Sequence, residues 1–321
     1  MTDGPPGRRA RTVFIGTGPF GIEVLRSLAR GGRHDPFELV GVVTTPGRPA
    51  GRRGEVQPSP IENAAREMRL GTVLALPRLR PAESVAAVLA LQPDLVVLAD
   101  DGRIVPPGLL DVPNGALNLH PSLLPRHRGA TPISSTIMAG DTHTGVTIIR
   151  MDDGIDTGPI VAVDRVPLTG RETAPALEAQ LAGVAAGLLR RILPQWLSGS
   201  ITPTPQASDG GTLTHLLRRE DGRLDPSSPV AALERRVRAY QPWPGTYLET
   251  PLGRLAIHAA SIGPLLDGDR EGTLTAHGDG LAVVAQDGRL VIQEAPPAGG
   301  RRMSAAELRR GRPGLVGAPV G

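Results

Sequence analysis

The chain has 321 residues, 40% apolar and 21% charged, with a formal net charge of +3; this length suggests about two domains, each long enough for a core. No cysteine is present, which excludes disulfides, thiolate metal sites, iron–sulfur clusters and cysteine nucleophiles. All 35 basic residues are arginine, which excludes Schiff-base and Walker-type lysine chemistry, and aromatics at 2% are too few for base stacking to be the main binding mode.

The opening segment MTDGPPGRRARTVF has no signal-peptide core, and no apolar run approaches the roughly 20 residues of a membrane span. A cytoplasmic location is therefore expected. The first two hundred residues alternate β-rich runs with helical patterns, which points to a mostly parallel sheet with crossovers. Strands are expected at RTVFIG, LVGVV, TVLAL, DLVVLAD and GALNLH, with helices over 19–30, 59–69 and 82–91. Ser59 and Pro60 supply an N-cap and a first-turn proline for the second helix. VTIIRM and PIVAVDRVPL flank MDDGIDTG as a hairpin or pair of late strands, and an apolar helix over 172–193 is expected to end at Pro194. Residues 198–212, rich in Ser, Thr, Pro and Gly, form the expected linker.

Beyond it the texture changes to one helix, SPVAALERRVRAY, and short β-runs at 246–249, 253–261, 271–276, 281–285 and 289–294, a spacing that suggests a small barrel. A short basic helix and tail, RRMSAAELRRGRPG, follow. The expected division is a catalytic domain over 10–197, the linker, and a C-terminal domain over 213–321.

Gly16, Gly18 and Gly21 make a G-x-G-x-x-G between the first strand and helix. A dinucleotide would also need an acidic residue ending the next strand, to hold a ribose hydroxyl. Thr44 and Thr45 stand there instead, with Arg48 as the one candidate for a phosphate-bearing variant. The motif alone does not separate a ligand turn from a packing turn.

The densest chemical constellation is ALNLHPSLLPRHRGATPI, residues 116–133. Asn118 and His120 share one face at the end of a strand, where open α/β sheets gather ligands. An amide that donates to a developing oxyanion and an imidazole that handles a proton suit an acyl-transfer centre. The bland alternative is that both merely satisfy backbone groups. In MDDGIDTG, Asp152 begins no calcium loop, because the twelfth position is Val163 and not glutamate. Asp156 is the candidate to orient His120, with Asp152 and Asp153 in a solvated turn. His120, His127 and His143 lack metal-ligand spacing, and no G-x-S-x-G elbow surrounds Ser122. No metal is expected. The long connection over 42–67 carries Arg48, Arg52 and Arg53, which suit phosphates.

NLHPSLLPRHRGATPI, TTPGRPAGRRGEVQPSP, AGDTHTGVTIIRMDDGIDTGPIV and AYQPWPGTYLET, taken together, resemble the methionyl-tRNA formyltransferase family, in that family's order and over nearly the whole chain. The resemblance implies a Rossmann-like formyltransferase domain followed by a small OB-like barrel. It implies transfer of a formyl group from 10-formyltetrahydrofolate to the α-amine of initiator methionyl-tRNA, by a monomer, without a dinucleotide. Asn118, His120 and Asp156 become the catalytic set; Ser122, Leu123, Leu124 and Pro125, with Asp101 and Gly102, line the folate site; Arg48, Arg52 and Arg53 face the tRNA acceptor stem.

Three departures from the family pattern accompany it. Ala99-Asp100-Asp101-Gly102 replaces an apolar and aromatic run, Gly54-Glu55 replaces a basic pair, and Pro121 stands where glycine is usual. Asp100 and Asp101 alternate direction on extended backbone, so only one of them would face the ligand; the alternative is that contacts here are made by the backbone and side-chain identity matters little. Two other readings remain: formyl transfer to a small amine such as an amino sugar or amino acid, and a non-catalytic RNA-binding protein.

Overall fold

A computed structural model of the chain describes residues 8–50, 54–295 and 303–321. The chain clusters into two compact units: Met1–Pro132 with His143–Pro167 and Glu178–Thr214, and Ile133–Thr142 with Leu168–Leu177 and His215–Gly321.

The first unit begins with β1 (Ala10–Ile15), α1 (Gly21–Ala29) and β2 (Phe37–Thr44), then a small hairpin of β3 (Arg48–Ala50) and β4 (Glu55–Gln57). α2 (Pro60–Glu67), β5 (Val73–Ala75), α3 (Ala82–Leu89), β6 (Leu95–Ala99), α4 (Pro107–Leu110) and β7 (Ala116–His120) continue the crossover pattern. After α5 (Pro132–Ala139), which from Ile133 on clusters with the second unit, come β8 (His143–Arg150), β9 (Ile160–Pro167) and α6 (Ala174–Leu197), which joins the first unit from Glu178 on. The seven-stranded sheet has the order β5-β2-β1-β6-β7-β8-β9. The first five in that order pair parallel, and β8 and β9 add antiparallel.

The apolar runs explain the burial. Val13, Phe14 and Ile15 of β1 and Leu95 to Ala99 of β6 are enclosed on both faces, as central parallel strands require. Ser59 accepts the Glu62 N–H at 3.0 Å and so caps α2 at the expected residue. Because β2 and β5 lie on one side of β1 and β6 on the other, the order reverses between β1 and β6. Ligands of such sheets bind outside the carboxyl ends of the strands at that point.

Pro194 does not end α6, contrary to expectation: the helix runs to Leu197, with Ser198 N–H bonded to Pro194 O at 3.1 Å. A proline so close to the end removes one backbone bond, while the Trp196 indole is held by Asn114 O at 3.1 Å. Gly199, at φ +72°, then turns the chain away. Residues 198–214 cluster with this first unit.

The second unit contains α7 (Val230–Ala239), β10 (Thr246–Leu248), β11 (Leu255–Ile257), β12 (Ala259–Gly263), β13 (Leu274–His277), β14 (Gly280–Val284), β15 (Arg289–Glu294) and α8 (Ala305–Gly311). The expected run 253–261 is two strands, β11 pairing β10 and β12 pairing β15. All its ladders are antiparallel, in a four-stranded sheet β12-β15-β14-β13 and a two-stranded one. Among the described residues these pairings do not close a ring. Leu233 and Val237 of α7 pack with Leu274, Leu281, Val283 and Leu290 in one core.

Candidate active site

β7 lies between β6 and β8, and its alternation sends Leu117 and Leu119 to one face and Asn118 and His120 to the other. Both polar side chains are buried, so each needs a partner. Asp156, in the loop between β8 and β9, supplies it. The Asn118 amide donates to Asp156 Oδ1 at 3.0 Å, and His120 Nδ1 lies 3.5 Å from Asp156 Oδ2. Gly129 N–H donates to that second oxygen at 2.8 Å. His120 Nε2 meets the His127 carbonyl oxygen at 2.8 Å. Each ring nitrogen therefore faces an oxygen. The three residues that the sequence proposed are thus brought together, and His127 and Gly129, which it did not propose, complete the set.

The glycine turn after β1 is filled by the chain itself. Thr17 and Gly18 donate their N–H groups to Asp100 O at 3.0 and 3.2 Å, and Phe20 N–H, at the start of α1, donates to Asp100 Oδ2 at 3.0 Å. A Cβ on Gly18 would lie 2.0 Å from Asp100 Oδ2. The place where a helix N-terminus and a glycine turn would hold a phosphate is therefore taken by a carboxylate. Burial, opposed by the Phe20 N–H and reinforced by Asp101, pushes Asp100 up to about 6. Burial and the charge of Asp100 push Glu178 up to about 7.

Asp101 turns into the protein as well. Its carboxylate accepts from Thr17 Oγ1 at 2.9 Å and pairs with Arg103, whose Nε lies 2.8 Å from Oδ1, and the side chain is 0% exposed. Both carboxylates thus bond within the chain, and the αL conformation of Asp100, at φ +58°, replaces the extended backbone on which their expected alternation rested. Gly102 beside it is exposed.

Ser122 is fully buried and donates to Arg126 O at 2.7 Å, so its hydroxyl closes the SLLP turn. Thr147 of β8 fastens the same turn, donating to Ser122 O at 2.7 Å and accepting from Leu124 N–H at 3.2 Å. Leu124 is buried, and Leu123 and Pro125 are half-buried. Arg48 is exposed on β3. Arg52 and Arg53 lie outside the described residues. Among the described residues no group of three His, Cys, Asp or Glu side chains is arranged to hold a metal. No helix among them is long and apolar enough to cross a membrane.

An amide, an imidazole and a carboxylate are thus gathered at the carboxyl end of one strand of an open α/β sheet, and the family comparison gives the class of the fold. A model described as formyl transferase matches residues 10–193, and one described as formyl transferase, C-terminal domain, matches 216–313. The methionyl-tRNA formyltransferase of Halorhodospira halophila is 43% identical over 316 residues, covering 97% of this chain and 99% of that protein. The methionyl-tRNA formyltransferase of Myxococcus xanthus is 38% identical over 94% of this chain and 95% of its own. The chain belongs to the methionyl-tRNA formyltransferase family.

Two solved structures share the fold. HypX of Aquifex aeolicus, crystallised with tetrahydrofolic acid, superposes with a TM-score of 0.64 at 17% identity over 94% of this chain and 47% of its own. An N-formyltransferase of Helicobacter canadensis, crystallised with folinic acid and dTDP-3-aminofucose, superposes with a TM-score of 0.61 at 13% identity over 92% of this chain and 100% of its own.

Proposed function

We propose that the chain transfers the formyl group of 10-formyltetrahydrofolate to the α-amine of initiator methionyl-tRNA. The observation that carries the reading is the Asp156 carboxylate, which gathers Asn118, His120 and the Gly129 N–H at the end of β7. The family resemblance over both matched regions supplies the substrates.

Three features suit the donor. The SLLP turn, fastened by Ser122 and Thr147, offers apolar side chains beside a fixed backbone, and it leaves β7 one strand from the point where the sheet order reverses. With the Asp101 carboxylate enclosed, the segment Asp101-Gly102 would meet a pterin through its backbone. The donor carries an activated one-carbon acyl group.

The chain's own residues would then act as follows. An α-amine titrates at roughly 7.7 to 8.0, so a useful fraction is already neutral and needs little activation. Asn118 gives one amide hydrogen to Asp156 and has a second to donate to the oxygen where charge develops. The His120 imidazolium adds positive charge beside that oxygen while bonded to His127 O. As the amine nitrogen bonds the formyl carbon and the bond from that carbon to N10 of the donor breaks, Asp156, beside His120, is the nearest carboxylate to take the proton leaving the amine, and N10 of the departing tetrahydrofolate takes up one proton in return.

Arg48, Arg52 and Arg53 would meet the tRNA through phosphates and base edges. The second unit would also contribute to tRNA binding. A soluble cytoplasmic monomer, with a catalytic domain over 10–197 and a C-terminal domain over 213–321, fits the same reading. Incubating the protein with formyl-folate and charged initiator tRNA tests it: formyl-methionyl-tRNA is the expected product, and its absence with an active donor sinks the proposal.

A further inference from the structure

Asp156 combines two demands that a chain rarely meets unaided. Its carboxylate must point at Asn118, His120 and Gly129, and to do so its backbone sits at φ +53°, the left-handed region that a residue with a Cβ disfavours. Such a conformation persists only where the surroundings impose it. On the far side of the loop one side chain does so. Gln206 donates both hydrogens of its amide, to Asp156 O at 2.7 Å and to Gly158 O at 2.8 Å. Its carbonyl oxygen accepts Nε and Nη2 of Arg128 at 3.1 and 2.6 Å. Every hydrogen-bonding position of the amide is thereby used, and its orientation is fixed.

Arg128 is itself centred between the two other supports of the cluster. The residue before it, His127, receives His120 Nε2 on its carbonyl, and the residue after it, Gly129, gives its N–H to Asp156. The strand-like segment that carries Gln206 grips the same stretch by its backbone. Arg128 N–H donates to Thr212 O at 2.9 Å, and Thr214 N–H donates to Arg128 O at 2.7 Å. His127 N–H is capped by Thr212 Oγ1 at 2.8 Å. At its other end the segment pairs with Ile160, just past the Asp156 loop, through two bonds of 2.7 and 2.8 Å with Thr204.

We propose that Gln206, tied to Arg128, is a positioning residue for formyl transfer: residues 204–214 form a strap that holds the Asp156 loop against the 127–129 stretch and sets the geometry of the Asn118, His120 and Asp156 side chains. The inference rests on the reading of that cluster as the catalytic set. It assigns a role to a segment whose composition suggests only a connection. Glutamine is required by the arithmetic of the site, because two carbonyl oxygens need two donors and a guanidinium needs an acceptor. Glutamate would keep the pair with Arg128 and lose both donors.

The test uses the full chain in single-turnover formyl transfer from formyl-folate to charged initiator tRNA. Gln206→Glu and Gln206→Met, the second close in length and without any donor, should each slow the transfer step about 10- to 100-fold. KM for both substrates should stay near the parent values, because no substrate contact is removed, and transfer is measured well below the melting transition of each variant. In an Asp156→Asn background, Gln206→Glu should cost no more than about twofold further, since the carboxylate through which the strap acts on the cluster is already gone. Parent-like transfer by both Gln206 variants, or an undiminished loss in the Asp156→Asn background, overturns the inference while leaving the catalytic set intact. Parent-like transfer by Asp156→Asn alone overturns the reading of the set and this inference with it.

Discussion

The amide of Asn118 donates to Asp156 Oδ1 at 3.0 Å, so a strand residue and a loop residue 38 positions later present themselves as one unit. Removing either should therefore cost more than a single hydrogen bond. Asn118→Ala deletes an oxyanion donor, a change worth on the order of 10² to 10³ in rate. Asp156→Ala also frees His120 and the Gly129 N–H, and should be at least as damaging. The double variant should be little worse than Asp156→Ala alone, as residues that act together lose activity together. Single-turnover rates for the three proteins check this, and additive losses would show that the two side chains work separately.

Asp101 provides a test of how the first unit is built. Its enclosed carboxylate is paired to Arg103, which also donates to Thr44 O at 3.1 Å and to Leu76 O. Asp101→Asn leaves a buried guanidinium partly unpaired, and should lower stability by about 3 kcal/mol. The KM for formyl-folate should hardly move, because the carboxylate is not presented to a ligand. Urea denaturation beside a folate titration separates the two, and a marked loss of folate affinity at unchanged stability would mean that Asp101 reaches the donor after all.

Asp100 and Glu178 carry a pH dependence of definite sign. Both are raised, Asp100 to about 6 and Glu178 to about 7, so between the ordinary carboxylate range and those values the folded chain holds protons that the unfolded chain has released. Stability contributed by the neutral forms is present at acid pH and is lost as pH rises through the raised values. Glu178→Gln should thus match the parent in melting temperature near pH 4.5 and exceed it by pH 8. A difference between the two proteins that is constant over this range would show that Glu178 does not titrate with a raised value in the folded chain.

Arg48 is exposed on the β3–β4 hairpin and takes no part in the Asn118, His120 and Asp156 cluster. Arg48→Ala should raise the KM for charged tRNA without changing that for formyl-folate, and the deficit should shrink as salt rises if a phosphate contact is lost. Equal tRNA affinity in the two proteins across a salt series would remove this hairpin from recognition.

Much of this was legible in the residues. β1, β2, β6 and β7 are legible as apolar runs, and the two-residue step from Asn118 to His120 puts both on one face of a strand. Asp156 was found because its turn lies between two strand patterns. The supports were harder to see. His127 contributes a carbonyl and Gly129 an N–H, and backbone groups leave no side-chain signature. The left-handed conformations of Asp100, His127 and Asp156 also follow from tertiary contacts, since nothing local in asparate or histidine demands them. The helix past Pro194 and the strap over 204–214 escaped for a shared reason: proline, serine and threonine read as breakers, yet here their backbone groups find partners in the first unit.

In the proposed function, the cluster at the end of β7 passes a formyl group to an amine carried by tRNA. Single-turnover formyl transfer measured with charged initiator tRNA, beside a panel of amino sugars and free amino acids, tests it most directly. Rapid formation of formyl-methionyl-tRNA, abolished or severely slowed by His120→Ala in a folded protein, with the small amines inert, is the result expected. Preferential formylation of a small amine, or full transfer to tRNA by folded His120→Ala, would contradict it.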